Sequence, residues 1–208
     1  MRSYRLYLLL ATAFIATASA QAQQGELRLT ASYSVAIPMG SFKDNTVSKT
    51  SFRGIDANLL YGITPQLSVG LTTGFQDFYE KYPRQVYKLE DGSDISAVIS
   101  NSVQQVPFLA TARYDFTPTG MIRPYALAGV GGQFIMNRQF LGEYTNDNTN
   151  RFSFAARPEV GVYIPFGKDS HTGINLGAYY NYIPYKRSGI ETMNSVGIKL
   201  GIGFPLRD

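Results

Sequence analysis

Large apolar residues alternate with polar or small residues along most of this chain. In residues 26–37, ELRLTASYSVAI, every second position carries Leu, Ala, Tyr, Val or Ile, and the positions between carry Glu, Arg, Thr, Ser or Ala. Successive side chains of a β-strand point to opposite faces, so this repeat gives a strand one apolar face and one polar face. In an α-helix, with about 3.6 residues per turn, the same residues would be spread around the whole surface. The alternation therefore predicts β structure.

The same alternation recurs often enough to predict eight strands. They are expected at 26–37, 51–61, 66–78, 103–116, 123–136, 152–165, 173–183 and 195–204, and only in 123–136 do small residues blur the faces. Short turns rich in Gly, Pro and Asp, at 62–66, 117–123 and 166–171, alternate with long polar connections, at about 38–50, 79–101, 137–151 and 183–194. This order predicts an all-β, antiparallel, up-and-down sheet without a helix or a second domain. All short turns and both chain termini are expected at one end.

The first residues differ from the rest of the chain. Arg2 and Arg5 precede the apolar run LYLLLATAFIATASA, which ends in small residues, as secretory signal peptides do. We predict a signal peptide at residues 1–22, cleaved after Ala20 or Ala22, and one domain over residues 23–208. A transmembrane helix is the alternative, but the run is short compared with the about 20 apolar residues that a span requires.

Charge and cysteine content restrict the class of protein further. The chain has 19 basic and 15 acidic residues, and removal of Arg2 and Arg5 with the signal peptide leaves 17 against 15. Because this excess is small and like charges form no run, we expect no nucleic-acid partner. The chain has no cysteine, so an exported protein of this sequence must be stabilised without disulfides.

The direction of the apolar face decides the class of barrel. Such a sheet closes with that face inward, as in a soluble lipocalin-like barrel, or outward into lipid. Gly, Ser, Thr, Asn and Ala dominate the polar face, and they suit the narrow lumen of eight strands better than a solvated exterior. On the apolar face, aromatic residues lie near strand ends, as in the girdles of transmembrane barrels, at Tyr61, Tyr114, Phe116, Phe166, Tyr180, Tyr182 and Phe204. We therefore predict an eight-stranded antiparallel up-and-down transmembrane β-barrel.

Eight charged residues fall on the face that this barrel turns inward. They are Glu26, Arg28, Asp56, Arg113, Asp115, Arg157, Glu159 and Lys199. An unpaired charge is costly to bury, so the four basic and four acidic groups are expected to neutralise one another. We predict a structural charge network that plugs the lumen, with Gly197, Gly201 and Gly203 leaving room for Lys199 and its partners. The individual pairings stay open because they depend on strand registers.

The whole pattern resembles the small eight-stranded outer-membrane β-barrels of Gram-negative bacteria, the porin-like and OmpA/OmpX-like domains. The segments that carry the resemblance are the signal peptide, SVAIPMGSFKDN, QVPFLATARYDF, RPYALAGVGGQF and the final strand GIKLGIGF. The resemblance implies location in the cell outer membrane, contact with outer-membrane lipid and insertion by the barrel-insertion machinery. Members of this family usually end on an aromatic residue, whereas Phe204 is followed here by PLRD.

No residue pattern in the sequence is typical of catalysis, metal binding or cofactor binding. Nucleophilic catalysis needs a base beside the nucleophile, and the one histidine, His171, lies in the turn GKDSHTG. The GVGG at 129–132 lacks the Lys-Ser/Thr of a phosphate-binding loop. DGSD at 91–94 and NDNTN at 146–150 lack the spacing of a calcium loop. We predict no enzyme activity, cofactor or metal.

The expected function is a structural or surface-interaction role in the outer membrane, with a plugged lumen and with any extracellular ligand bound through the long loops. Three alternatives stay open: a narrow channel for small solutes, a lipid-modifying barrel enzyme and a soluble lipocalin-like binder. Conductance tests the first, and lipid-modifying activity in a His171→Ala variant tests the second. The third predicts extraction without detergent.

Overall fold

The structure, a computed structural model, describes residues 25–88, 94–141, 144–167, 170–187 and 190–207, and the predicted signal peptide lies outside these ranges. Within them the chain forms twelve strands and one short helix. The elements are β1 Leu27–Pro38, α1 Ser41–Asn45, β2 Ser51–Gly62, β3 Leu67–Lys81, β4 Gln85–Lys88, β5 Asp94–Ala97, β6 Ile99–Asp115, β7 Arg123–Leu141, β8 Tyr144–Pro165, β9 Gly173–Asn181, β10 Pro184–Arg187, β11 Ile190–Thr192 and β12 Ser195–Arg207.

Eight of these strands close into one barrel. The order around the barrel is β1, β2, β3, β6, β7, β8, β9 and β12, and all neighbours are antiparallel. β12 pairs with β1 to complete the ring, with Lys199 opposite Ser34 and Val196 opposite Ile37. Closure pairs the backbone groups of what would otherwise be two sheet edges, as a membrane requires. The predicted eight-stranded antiparallel barrel is confirmed.

Burial alternates along the strands and shows which face is outside. In β12, Ile198 is 60% exposed and Lys199 is 1% exposed, and Leu71 and Val160 are likewise turned outward. The apolar face is therefore the exterior, and the alternative of a soluble lipocalin-like barrel is wrong because its apolar face would fill the interior. Phe154 and Phe166, both exposed, lie twelve residues apart. That separation is about 40 Å along a strand, or about 28 Å across a membrane at a tilt of about 45°, close to the apolar band of such barrels.

One side of the barrel is taller than the other. The neighbouring strands β3, β6, β7 and β8 have 15, 17, 19 and 22 residues, whereas β1, β2, β9 and β12 have 12, 12, 9 and 13. The extra length lies at the end of the long connections, where Ile99 still pairs with Leu141. We call the part of these four strands beyond the shorter ones the extended wall.

The long connections contain more regular structure than predicted. Segment 137–151, predicted to be a loop, includes the paired ends of β7 and β8, with Asn137 opposite Thr149. Beyond the membrane band neither face of a strand has to be apolar, so these residues show no alternation. Segments 79–101 and 183–194 contain the hairpins β4–β5 and β10–β11. The prediction of no helix is also wrong, because α1 has five residues, too few to give a helical period.

A cluster of buried apolar residues lies inside the barrel at the long-loop end. We call it the apolar cap. Its members are Ala36, Phe42, Val47, Phe78, Val103, Leu109, Ile135, Ala155, Ile183, Tyr185, Ile190 and Met193. Phe42 of α1 packs edge-to-face on Phe78 of β3, with ring centroids 5.0 Å apart. Connections and barrel strands therefore share one core.

Polar contacts anchor the connection between β1 and β2 over the lumen. The Ser41 hydroxyl accepts a hydrogen bond of 3.1 Å from the backbone N–H of Thr192, the last residue of β11. On the other side, the Glu80 carboxylate accepts hydrogen bonds from the Ser48 N–H, at 2.6 Å, and hydroxyl, at 2.9 Å. Burial and the nearby Glu80 charge raise the pKa of Tyr82, which keeps its phenol protonated as a donor.

No helix of the described ranges is long and apolar enough to cross a membrane.

A candidate charge cluster in the barrel lumen

Four of the eight predicted charges meet about halfway along the lumen. Asp56 comes from β2, Arg157 and Glu159 from β8, and Lys199 from β12. Arg157 Nη1 lies 2.5 Å from Asp56 Oδ2, and Lys199 Nζ lies 3.3 Å from Asp56 Oδ1 and 2.7 Å from Glu159 Oε2. None of the four is more than 5% exposed. We call this neutral series, Arg157–Asp56–Lys199–Glu159, the central chain.

Neutral side chains complete the bonding of the central chain. Arg157 Nε donates to Asn181 Oδ1 at 2.6 Å, and the guanidinium lies over the Tyr179 ring, 4.8 Å from its centroid. The Tyr125 hydroxyl donates to Glu159 Oε1 at 2.7 Å. Buried charges are stable only when paired and hydrogen-bonded, and these contacts meet that condition at both ends of the chain.

A second pair lies towards the short-turn end of the barrel. Arg113 Nη2 lies 2.7 Å from Asp115 Oδ1, and both residues project from β6 two positions apart. The Arg113 guanidinium lies over the Tyr125 ring at 3.9 Å, and its Nη1 donates to Asn175 Oδ1 at 3.4 Å. Asn175 Nδ2 in turn donates to the Tyr125 hydroxyl at 3.0 Å. Tyr125 and Asn175 therefore connect this pair to the central chain.

The last predicted pair closes the short-turn end. Arg28 Nη2 lies 2.9 Å from Glu26 Oε1, and the second oxygen of Glu26 lies 3.0 Å from His171 Nδ1. The Tyr163 hydroxyl donates to the backbone carbonyl of His171 at 2.7 Å. The His171 imidazole, which is 46% exposed, thus contacts a carboxylate rather than a nucleophilic hydroxyl. Among the described residues, no side-chain hydroxyl is hydrogen-bonded to this imidazole, as the nucleophile of a catalytic triad would be.

Glycines in the neighbouring strands leave space for the lumenal aromatic rings. A Cβ at Gly161 would lie 2.6 Å from Cζ of Tyr125, a distance that real Cβ atoms do not tolerate. A Cβ at Gly197, two residues before Lys199, would collide with the Tyr179 ring. The space that the sequence analysis reserved for Lys199 is therefore occupied, on this side, by the ring that covers Arg157.

Two small cavities lie beside these charges. One cavity of about 10 Å³ lies beside Asp56 and Arg157 towards the apolar cap, and another of about 10 Å³ lies beside Glu26 and Asp115. Each has room for about one water molecule. Within the described ranges, no three His, Asp or Glu side chains are grouped so as to hold a metal ion.

The sequence analysis missed the aromatic members of this cluster. Tyr125, Tyr163 and Tyr179 are at most 3% exposed and point inward, and the sequence analysis assigned none of them to a face. The alternation contains a signal for two of them, because Tyr163 has the same parity as Glu159 and Tyr179 has the same parity as Asn181. Tyr125 lies in the strand whose faces small residues blur, so no comparable signal exists for it.

Comparisons with known proteins agree with this architecture. Residues 6–204 match the family described as Outer membrane protein beta-barrel domain. No curated protein sequence matches the chain.

Two solved structures illustrate the similarity of the fold. Neisserial surface protein A has a TM-score of 0.50 and 16% identity, with 89% of this chain and 99% of that chain covered. The outer membrane protein OprG from Pseudomonas aeruginosa has a TM-score of 0.53 and 12% identity, with coverages of 89% and 98%. At such identities the likeness extends to the fold alone.

The family match covers nearly the whole chain, and the barrel presents an apolar exterior of membrane-spanning height. In barrels of this kind the short turns face the periplasm and the long loops face the cell exterior. This chain therefore belongs to the outer-membrane β-barrel domain family and is a protein of the cell outer membrane.

Proposed function

We propose that this barrel has a structural or surface-interaction role and keeps its lumen closed to solutes. The observation that carries the proposal is that two different fillings occupy the lumen in series. The central chain lies halfway along it, and the apolar cap lies above, at the extracellular end. A solute would have to pass both.

The cost of opening supports a closed lumen. A path through the middle requires the separation of Arg157 from Asp56, or of Lys199 from Glu159, and all four groups are buried. Removal of one partner of such a pair typically costs about 3–5 kcal/mol, because a charge is left without compensation. Thermal fluctuation opens such a path rarely.

The extended wall and the loops supply the surface for an interaction. They reach beyond the membrane band on one side of the barrel, where a partner outside the cell has access to them. On this proposal an extracellular ligand binds there rather than in the lumen. We also propose that the barrel-insertion machinery delivers the chain to the membrane and reads β12, despite the PLRD that follows Phe204.

Planar-bilayer conductance tests the closed lumen. Vesicles containing the folded protein, checked on the same sample by heat-modifiable gel migration, are fused to the bilayer. We expect no stable conductance steps from the wild-type protein. Large and stable steps would contradict the proposal and favour the narrow channel.

The lipid-modifying enzyme is the other alternative that an assay separates. We propose that the protein has no such activity, because the His171 imidazole contacts Glu26 and, among the described residues, no nucleophilic hydroxyl. Incubation of the folded protein with phospholipid should leave the lipid unchanged in thin-layer chromatography. Turnover that is lost in a His171→Ala variant would contradict the proposal.

A further inference from the structure

We propose that the outside of the extended wall binds an anionic, phosphate-bearing lipid headgroup of the outer leaflet. The site is a basic patch, formed by Lys81 and Tyr79 on β3, Ser100 and Ser102 on β6, and Arg138 on β7. It lies on the exterior of the barrel, so it does not depend on whether the lumen is closed.

The orientation of the patch follows from its inward-pointing neighbours. Glu80 lies between Tyr79 and Lys81 and binds Ser48 over the lumen. Gln139, next to Arg138, donates to Asn101 at 3.1 Å. Because alternate residues of a strand face opposite sides, the inward contacts of these neighbours turn Tyr79, Lys81 and Arg138 outward.

Outward exposure agrees with this alternation. Lys81 and Arg138 are both exposed, and Tyr79 is 38% exposed. Asn101, between the two serines of the patch, faces inward and donates to the Thr46 carbonyl at 3.0 Å. Lys81, Tyr79 and Arg138 are therefore the exposed members of the patch, and Ser102 between them is 8% exposed.

Strand register brings the two cations to the same place. Tyr79 lies opposite Ser102, and Ser102 lies opposite Arg138; Lys81 lies opposite Ser100 in the next outward row. Neighbouring strands are about 4.8 Å apart, so the backbones of β3 and β7 flank β6 at a separation of about 10 Å. The long Lys and Arg side chains can both reach over β6, where Ser100 and Ser102 have small side chains.

The height of the patch fits the headgroup region. Phe134 and Phe152 are exposed aromatic residues at the outer edge of the apolar band, with ring centroids 4.8 Å apart. Arg138 follows Phe134 by four residues, about 13 Å along the strand and about 9 Å further out at a tilt of about 45°. Such a distance places its guanidinium beyond the acyl chains, among the headgroups.

Charge in the patch favours an anion. Asp77, an acid on the same face of β3, accepts a hydrogen bond from Ser102 at 3.0 Å and is neutralised by Arg53, whose Nη1 lies 3.2 Å from it. No ion pair joins Lys81 or Arg138 to any residue of the described ranges. Two positive charges therefore remain, and a phosphate monoester or diester supplies a complementary charge with several acceptor oxygens.

The opposite side of the barrel lacks this feature. At the corresponding outer edge, Ile37 of β1, Val196 of β12 and the neighbouring Met39 and Tyr182 are exposed and uncharged, whereas the exposed cations of this side, such as Lys43 and Lys186, lie on the connections beyond these strands. The contrast argues for one localised headgroup site rather than a general affinity of the rim for anions.

Native mass spectrometry of the full protein in a neutral detergent tests the site. The probes are phosphatidylglycerol and phosphatidylcholine, added in equal amounts. Three proteins are compared: wild type, the double variant K81Q/R138Q, and the control K43Q/K186Q, which removes two exposed extracellular charges from the cap side. Heat-modifiable migration checks that each one is folded.

We expect the wild type and the control to bind phosphatidylglycerol in preference to phosphatidylcholine by about tenfold, and K81Q/R138Q to lose the preference. Equal binding of both lipids by the wild type would overturn the proposal, and so would a preference that K81Q/R138Q retains or that the control loses equally. Displacement of phosphatidylglycerol by equimolar inorganic phosphate would reassign the site to a free anion. Retention on heparin that depends on Lys81 and Arg138, with lipid preference unchanged, would reassign it to a polyanionic partner.

Discussion

Lys199 divides its ammonium between two carboxylates, those of Asp56 and Glu159, at 3.3 and 2.7 Å. Asp56 also forms an ion pair with Arg157. Among the described ion pairs, Glu159 is paired only with Lys199. The two acids therefore depend unequally on Lys199. The same side chain looks like an isolated charge in an apolar strand until its partners on β2 and β8 are seen.

Lys199→Met tests this dependence. Met fills a similar volume without charge, and the loss of the ammonium leaves Glu159 buried with the neutral Tyr125. We expect a loss of about 3–5 kcal/mol in the free energy of unfolding, measured by urea titration in detergent micelles with migration of the unheated sample on gels.

The control for this prediction removes the orphaned charge as well. The double variant K199M/E159Q should recover a large part of the lost stability, because Gln can still accept the hydrogen bond from Tyr125. Lys43→Met, at an exposed position, should leave stability unchanged. Equal stability of Lys199→Met and wild type would contradict the role of the central chain.

Gly197→Ala tests the close packing of the lumen. The added methyl group meets the Tyr179 ring and the Val35 carbonyl, so overpacking should cost about 1–3 kcal/mol in the same urea titration. Gly167→Ala is the matched control, because the nearest atom to its Cβ would be 3.8 Å away. A Gly197→Ala barrel as stable as the Gly167→Ala barrel would mean that the ring is not held there.

Alternation in the sequence is enough to predict which charges face inward, but not which of them meet. Asp56 and Arg157 are 101 positions apart and come together only through the registers of several strand pairs. Each register is set by the hydrophobic pattern and the connection of its own strand pair, so a contact across the lumen depends on several registers at once. For the same reason the sequence indicates a network, and the structure gives its pairs.

At the scale of elements, the long connections divide the molecule into a membrane barrel and an extracellular cap. α1 and the β10–β11 hairpin fold over the lumen and bury apolar side chains against the inward face of β3, β6 and β7. The inward face therefore changes character along the barrel, from charged in the membrane to apolar outside it. The outer surface changes in the opposite direction, from apolar in the membrane to polar beyond it.

Phe42→Ala tests the cap as a unit of structure. Loss of a buried phenyl ring usually costs about 3–5 kcal/mol, and here the loss falls on α1 and its anchors rather than on the barrel ladder. We expect faster proteolysis within residues 39–50, measured by mass spectrometry of the fragments. The heat-modifiable migration of the barrel on gels should be unchanged. The neighbouring exposed Lys43→Ala is the control and should be cleaved like the wild type. Unchanged cleavage of Phe42→Ala would contradict the docking of α1.

The barrel strands could be predicted from the sequence, whereas the cap could not. Each strand in a membrane must present one apolar face to lipid. Apolar residues therefore occupy every second position in strands such as β12. The burial of Phe42 follows no such alternation, because its neighbours come from connections that are far apart in the sequence. The extension of β7 and β8 to Leu141 and Tyr144 was missed for a related reason, since water on the outside removes the need for alternation.

At the scale of the whole molecule, the barrel has an apolar exterior and a charged interior, the reverse of a soluble barrel. Apolar side chains such as Leu71, Val160 and Ile198 are on the outside, and the charges of Asp56 and Lys199 are on the inside. Burial of the exterior therefore depends on lipid, and the family match places the protein in the outer membrane. A closed lumen and an extracellular interaction surface are proposals that build on this orientation.

Spin-label accessibility measures the orientation most directly, and the absence of native cysteine makes single labels simple. A label on Leu200→Cys, where the native side chain is 56% exposed on the outer face, is compared with a label on Lys43→Cys in lipid vesicles. The account predicts that the Leu200 label collides mainly with molecular oxygen, which concentrates in acyl chains, and the Lys43 label mainly with a water-soluble nickel chelate. Equal collision of the nickel chelate with both labels would show that the apolar face meets water, and would contradict the account.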